Sequence, residues 1–378
     1  MKTLISLLTV FVLLLSGCRN KDNAKSSSNN TIQISLDDVQ PVNLKEIFSS
    51  IEITSLELQD ESIIGRLFRG KSCIVVPNQY YIVIDKQYNI FLFDIQGNFK
   101  ASSQSCIGDG PNCYLILQDV IFNPHTNTID VLDARGVIYQ YDLNFQFLNK
   151  WVLQQEYSFR YLYALDNDSY ALFHDIDQGN FSIYNKTKQT VDHQIKYPGF
   201  ITKMTANNTP FHFENDQLYF SPIEMNNNLF TFSPQSQEIK VLFTIDNGQN
   251  CLTRKDIESF GDNPKEIAIY LNTQCDKYFP IRRIFNGKHL ISTYLKQQKQ
   301  FINICDLKTG KNTTYLKSPD RKENLPTFFQ IEDDVFYAIL FPSDLSSFIN
   351  TDLVINKNVL QQIKEEDNPV IIKYQLKK

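Results

Sequence analysis

Much that would name a chemistry is missing from this sequence. There is no excess of positive charge: 37 Lys and Arg stand against 42 Asp and Glu, a formal net charge of −5. Nucleic-acid phosphates need clustered cations, so that class of partner is excluded. No Gly-x-Ser-x-Gly elbow and no His-Glu-x-x-His pair occurs, which removes two common hydrolase signatures. Histidine is scarce: His125, His174, His193, His212 and His289 are scattered through different parts of the chain. Glycine (13), methionine (3) and tryptophan (1) are also few, whereas Phe (28) and Tyr (19) are plentiful. That bias favours strands, and 42% apolar content over 378 residues is ample for a large core.

The one long apolar run, Leu4 to Leu15, is broken only by Ser6 and Thr9. It is too short to span a bilayer and has the shape of a secretory signal. It ends in Leu15-Ser16-Gly17-Cys18. Small residues before a single cysteine resemble a bacterial lipobox, which implies cleavage before Cys18 and lipidation of that residue. More than one acyl chain makes attachment stable. The alternative is a plain signal peptide with an incidental cysteine. Residues 1–17 are then the signal, 18–30 a polar Ser/Asn-rich tether, and 31–378 a single domain. The expected address is the cell envelope, lipid-anchored at the outer membrane; periplasmic and surface faces both remain open.

Export makes the other six cysteines readable in an oxidising setting. Cys73 and Cys305 sit within strand-like runs and are expected as buried thiols. Cys106 with Cys113, and Cys251 with Cys275, flank loop-like segments and are the candidate disulfides.

The strongest internal signal is a two-strand phrase. "YYIVIDKQYNIFLFD" from Tyr80 recurs as "TIDVLDARGVIYQYD" from Thr128. Weaker copies begin at Ser169, Gln217 and His289, and a split copy pairs "VFYAIL" from Val335 with "PVIIKYQL" from Pro369. Six copies at about forty to fifty residues suggest a β-propeller with about four strands per blade. The last copy lacks an outer strand, while a surplus strand, "SIEITSLEL" from Ser50, precedes the first. Placing the surplus strand in the sixth blade closes the ring. The expected fold is therefore all-β, a six-bladed β-propeller closed by an N-terminal strand, with two partly helical insertions on one face. Residues 80–122 resemble an NHL repeat and its linker, and the whole chain is similar to six-bladed β-propeller lipoproteins of Bacteroidota. In that pattern Asn112 stands where a third glycine is usual, and Cys113 replaces an acidic residue. The resemblance implies fold and envelope location, and little about activity.

Antiparallel strand order puts the inter-blade linkers and the turns between second and third strands on one face. That face is the expected ligand side, carrying Asp85, Asp109, Asp133, Arg135, His174, Asp175, Asp177, Glu224 and Lys296. The insertion from Asp246 to Tyr278 falls there too, and Asn263-Pro264-Lys265-Glu266 within it reads as a capped helix start. The segment from Leu340 to Asn368 is expected on the same face. The linker "CIGDGPNC" (106–113) lacks the Lys-Ser/Thr of a phosphate loop and opens no helix, and it is read as a turn. No catalytic set, metal site or cofactor is assigned. The expected role is a non-enzymatic binding or scaffold module for a glycan, peptide or partner protein. The alternatives are a metal-dependent, lactonase- or lyase-like enzyme using the central channel, or an assembly factor for an outer-membrane complex. If Cys18 carries the anchor, Cys18→Ala will move the protein from the detergent phase to the aqueous phase on phase partition; an unchanged distribution would contradict lipidation.

Overall fold

In the computed structural model, which describes residues 30–68, 71–153, 159–174, 180–196, 211–214, 217–221, 227–260, 263–318 and 321–378, the repeat phrases fold as antiparallel strand pairs. The signal segment, Cys18 and most of the tether lie outside the described residues, as do Asp175, Asp177 and Glu224.

The described chain begins with β1 (Asn30–Gln33), β2 (Val39–Gln40), a one-turn helix α1 (Leu44–Ile47) and β3 (Phe48–Ser55). The first sheet follows as β4 (Cys73–Val76), β5 (Tyr80–Ile84), β6 (Ile90–Asp94) and β7 (Phe99–Ser102). The second is β8 (Leu117–Asn123), β9 (Thr128–Asp133), β10 (Val137–Tyr141) and β11 (Phe147–Val152). The third is β12 (Phe159–Ala164), β13 (Ser169–His174), β14 (Asn180–Asn185) and β15 (Thr190–Lys196). The fourth is β16 (Phe211–Glu214), β17 (Gln217–Phe220), β18 (Asn228–Ser233) and β19 (Glu238–Asp246). Helices α2 (Arg254–Ile257) and α3 (Pro264–Thr273) lead to the fifth sheet: β20 (Phe279–Phe285), β21 (His289–Lys296), β22 (Lys299–Asp306) and β23 (Asn312–Lys317). The sixth contains β24 (Phe328–Glu332), β25 (Val335–Leu340) and β26 (Val370–Leu376), with α4 (Leu345–Phe348) and α5 (Lys357–Gln362) between the last two.

Within each sheet the strands pair in chain order. The surplus N-terminal strand lies where the sequence puts it: β3 pairs antiparallel with β26, Ile51 opposite Tyr374 and Ile53 opposite Ile372. Two further pairings had no sequence expectation. β1 runs parallel beside β19 and β2 parallel beside β23. The N-terminal segment thus covers the outer edges of the fourth, fifth and sixth sheets in turn, and an uncovered edge is a template for unwanted pairing. Full burial of Phe48, Ile51 and Ile53, at about 1.5–3 kcal/mol each, is comparable to the net stability of a domain, about 5–15 kcal/mol.

Between the sheets lie continuous apolar clusters. Ile82, Leu92, Val120 and Val131 join the first and second sheets; Leu132, Ile138, Tyr170 and Leu172 join the second and third. Phe173, Phe181, Leu218 and Phe230 join the third and fourth; Leu229, Leu290 and Cys305 the fourth and fifth. Ile291, Phe328 and Phe336 join the fifth and sixth, and Val75, Tyr81, Phe329 and Ile371 join the sixth to the first.

Both insertions contain helices, as expected. Asn263 caps α3, its Oδ1 accepting from the Lys265 and Glu266 N–H groups. The other insertion also serves the sheet: Ile51 N–H donates to Leu353 O at 2.8 Å, and Asn356 bonds both backbone groups of Ile53. That segment is an outer cover for β3.

The two expected disulfides are corrected, because all six described cysteines are free. Cys106 is buried and its thiol donates to Phe145 O at 3.2 Å, whereas the Cys113 thiol is aimed at Ser105 O. Backbone bonds close this linker instead: Gly108 N–H to Tyr114 O and Tyr114 N–H to Cys106 O, each 3.0 Å. Cys251 donates to Tyr278 O, and Cys275 packs with Leu252 and Ile257. The ends of that insertion are tied by the Leu252–Tyr278 and Tyr278–Asn250 backbone bonds. Cys73 and Cys305 are buried thiols as expected. Unreduced protein unfolded in denaturant will therefore release thiols from all six positions. In the native state Cys113, the only one of the six that is not buried, will react first; a deficit of two or four thiols would restore one or both staples.

Candidate functional site

The first strand of every sheet, β4, β8, β12, β16, β20 and β24, has a neighbour on one side only. Its free edge carries backbone groups that burial would leave costly and unpaired. Side chains from adjacent sheets supply partners. Gln330 accepts from the Val75 N–H and donates to Val75 O, both at 2.9 Å, bridging the sixth sheet to the first. Lys71 donates to Val120 O at 2.9 Å and pairs with Asp119 at 2.6 Å. The second oxygen of Asp119 accepts from the Leu162 N–H at 3.0 Å, carrying the chain of contacts to the third sheet. Burial pushes the Asp119 carboxyl up, while Lys71 and the Leu162 N–H hold it down; the balance lies above the ordinary carboxylate value.

These six strands line one cavity of about 430 Å³. Its walls are aromatic: Phe122, Tyr163, Phe213 and Phe329 come from four different sheets. Tyr163 and Phe213 stack with ring centroids 5.8 Å apart. Polar groups are few, chiefly Gln79, His212, Gln330 and Glu332. Gln330 donates to Glu332 at 2.6 Å. Burial raises the Tyr163 hydroxyl pKa, and the Glu332 carboxylate of the sixth sheet adds to the effect. An apolar hollow with a small number of placed hydrogen-bonding groups suits a ligand of mixed character.

The lining comes largely from the C-terminal halves of the first strands and the turns after β4 and β8. The residues nominated from sequence follow second strands or lie in linkers, at the other end of the sheets. Asp85 is 3% exposed and accepts from the Gln87 and Asn89 N–H groups at 2.8 and 2.9 Å. Asp133 is equally enclosed. Burial opposes its ionisation, but Arg135 and the N–H groups of Leu115, Ile116 and Arg135 outweigh this and hold its carboxyl below the ordinary range. Arg135 is thereby engaged at 2.8 Å, and exposed Asp109 lies close enough to raise the Arg135 pKa. Lys296 lies over the Tyr278 ring at 4.3 Å. His174 ends β13. Of the nominated set, the structure gathers Asp109, Asp133 and Arg135 at the first linker and places Asp85 and Lys296 elsewhere. Among the described residues, no three His, Cys, Asp or Glu side chains form a metal-binding group. The cavity aromatics were missed; the signal for them is the alternation in "SFRYLYAL" and "FHF", where every second residue of a first strand is aromatic.

Comparison with known proteins finds a family model and one solved structure that share most of the chain. A family model described as Domain of unknown function (DUF4934) matches residues 29–375. A crystal structure of a protein from Bacteroides fragilis, inferred to be exported, superposes with a TM-score of 0.69 at 16% identity, covering 92% of this chain and 100% of that one. The WD40 domain of Toxoplasma gondii coronin gives a TM-score of 0.43 at 11% identity, covering 80% and 72% of the two chains. The WD40 β-propeller domain of Doa1 gives 0.36 at 9%, covering 61% and 62%. No curated protein matches the sequence.

Because Lys71 and Asp119 are both buried, removing one partner leaves a charge without compensation. Asp119→Ala will lower unfolding free energy by about 3–5 kcal/mol in urea titration. The double change Lys71→Met with Asp119→Leu removes the uncompensated charge and will recover part of that loss, the remainder reflecting the unpartnered Val120 O and Leu162 N–H; equal damage by both would show that the backbone bonds, not the charge, are at stake.

Proposed function

We propose, for a chain that belongs to the DUF4934 family, an exported, lipid-anchored binding module whose central cavity holds a saccharide. The six sheets are taken as blades of an NHL-like six-bladed β-propeller closed by β3. Apolar clusters between each consecutive pair of sheets, and between the sixth and the first, support that reading. The lipobox-like Leu15-Ser16-Gly17-Cys18 supports attachment at the outer membrane, and the inferred export of the B. fragilis protein is consistent with that address.

The observation that carries the functional reading is the lining of the cavity. Half-buried Phe122, Tyr163 and Phe213 offer ring faces, and Gln79, His212, Gln330 and Glu332 surround them with hydrogen-bonding groups. A sugar ring presents apolar C–H faces and polar hydroxyls, and that pairing meets both kinds of wall. Among the described residues, Glu332 is the only acidic one in the lining. Glycoside hydrolysis ordinarily needs two opposed carboxyl groups, so binding without turnover fits the lining better. Calorimetry and a glycan array with the purified protein test this. A neutral oligosaccharide is expected to bind, and Tyr163→Ala to weaken it by about tenfold or more. A folded protein that binds no saccharide, or a Tyr163→Ala variant with unchanged affinity, would overturn the reading.

A further inference from the structure

Arg282 is a charged residue for which the fold supplies no counterpart. It lies in β20, the first strand of the fifth sheet, just after a register irregularity between Pro280 and Arg282. Its neighbour Arg283 is turned into the space between sheets, with Nη2 3.2 Å from Asn227 Oδ1. The Arg282 Nε is buried and has no hydrogen-bond partner. No carboxylate among the described residues pairs with Arg282, although the residue keeps part of its surface exposed. Among the described residues, the titratable group that acts on it is Tyr161, on β12 of the third sheet. The third and fifth sheets share no apolar cluster, since the fourth lies between them. Arg282 and Ile284 lie two positions apart on β20, so their side chains leave the same face of the strand. Burial lowers its pKa to about 10, with Tyr161 opposing the shift.

A donor buried without a partner is costly even where the rest of the guanidinium meets solvent. Where a chain retains one, a ligand can supply the missing acceptor. The place is suited to this. Ile284, two positions further along β20, lines the cavity, so Arg282 lies about 7 Å deeper along the strand. A guanidinium fork matches the paired oxygens of a carboxylate or sulfate.

We propose that Arg282 is an oxyanion-docking residue, engaging an acidic substituent on the saccharide that occupies the cavity. The substituent is either the carboxylate of a uronic acid or a sulfate ester, which share the chemistry that the fork recognises. The inference rests on the saccharide reading for its ligand, and on the geometry of Arg282 alone for its charge.

Thermal melting and calorimetry test it with wild type, Arg282→Met and Arg282→Lys, using sodium glucuronate, glucose 6-sulfate, glucose and inorganic sulfate against sodium chloride at matched ionic strength. Without ligand, Arg282→Met is expected to melt higher than wild type, since the stem remains and the uncompensated charge is gone. An acidic sugar is expected to raise the wild-type melting temperature more than glucose does, and to bind Arg282→Met at least about tenfold more weakly. Arg282→Lys should retain only part of that affinity. Glucuronate and glucose 6-sulfate separate the two sources of the oxyanion. Equal shifts in wild type and Arg282→Met, or no shift with any anion, would overturn the proposal. If a neutral oligosaccharide binds both proteins alike while anions do nothing, the cavity reading stands and the Arg282 proposal falls. If inorganic sulfate protects wild type but not Arg282→Met while no sugar binds, the anion site stands and the saccharide reading falls.

Discussion

A strand with one free edge, buried against neighbouring sheets, must find partners for its backbone without another strand beside it. Six first strands face that problem here. The solutions visible at Val75, Val120 and Leu162 use polar side chains from the preceding sheet. Gln330 imitates a missing strand by meeting both the N–H and the C=O of one residue. Lys71 and Asp119 meet one backbone group each and then neutralise one another. The requirement places polar and charged groups deep in an otherwise aromatic wall. A cavity built this way already contains the mixed lining that a polar ligand with apolar faces needs. Arg282 stands out against this background because the other named groups have protein partners.

The outer edges are handled differently. β1, β2 and β3 lie along the fourth, fifth and sixth sheets before the chain begins the first, and residues 353–356 then cover β3 itself. The sixth sheet is thus completed from both ends of the chain, so its formation requires contacts of very long sequence separation. Such contacts are slow to form and cooperative once made. Asn30 begins on the outer edge of the fourth sheet, which places the start of the described chain at the periphery, away from the cavity.

The acidic turns share one local chemistry. Asp85, Asp94 and Asp142 each accept from the N–H groups two and four residues ahead. In each turn the third residue after the Asp has a positive φ: Tyr88, Gly97 and Phe145. The recurring Asp that marks the repeat is the acceptor that closes the turn, and of the three only Asp85 is buried. Glycine is needed at only one of these three. At Gly97 an added Cβ would fall 2.0 Å from Ser55 O, where the turn presses against the end of β3. Tyr88 and Phe145 accept the strained backbone, consistent with so few glycines in so many turns.

Local sequence determined the strands, the turn chemistry, the cap of α3 and the strand that completes the sixth sheet, because each depends on residues within a few positions or on a count of missing strands. It also determined the lipobox-like start. The partners of each thiol, the covering of the fourth and fifth sheet edges, the use of the turn carboxylates and the convergence of Phe122, Tyr163, Phe213 and Glu332 were decided by tertiary structure alone. Strand alternation says that a side chain points to one face or the other. Which face borders a cavity, and which residues from other sheets meet it there, follows only once the sheets are packed around a common centre.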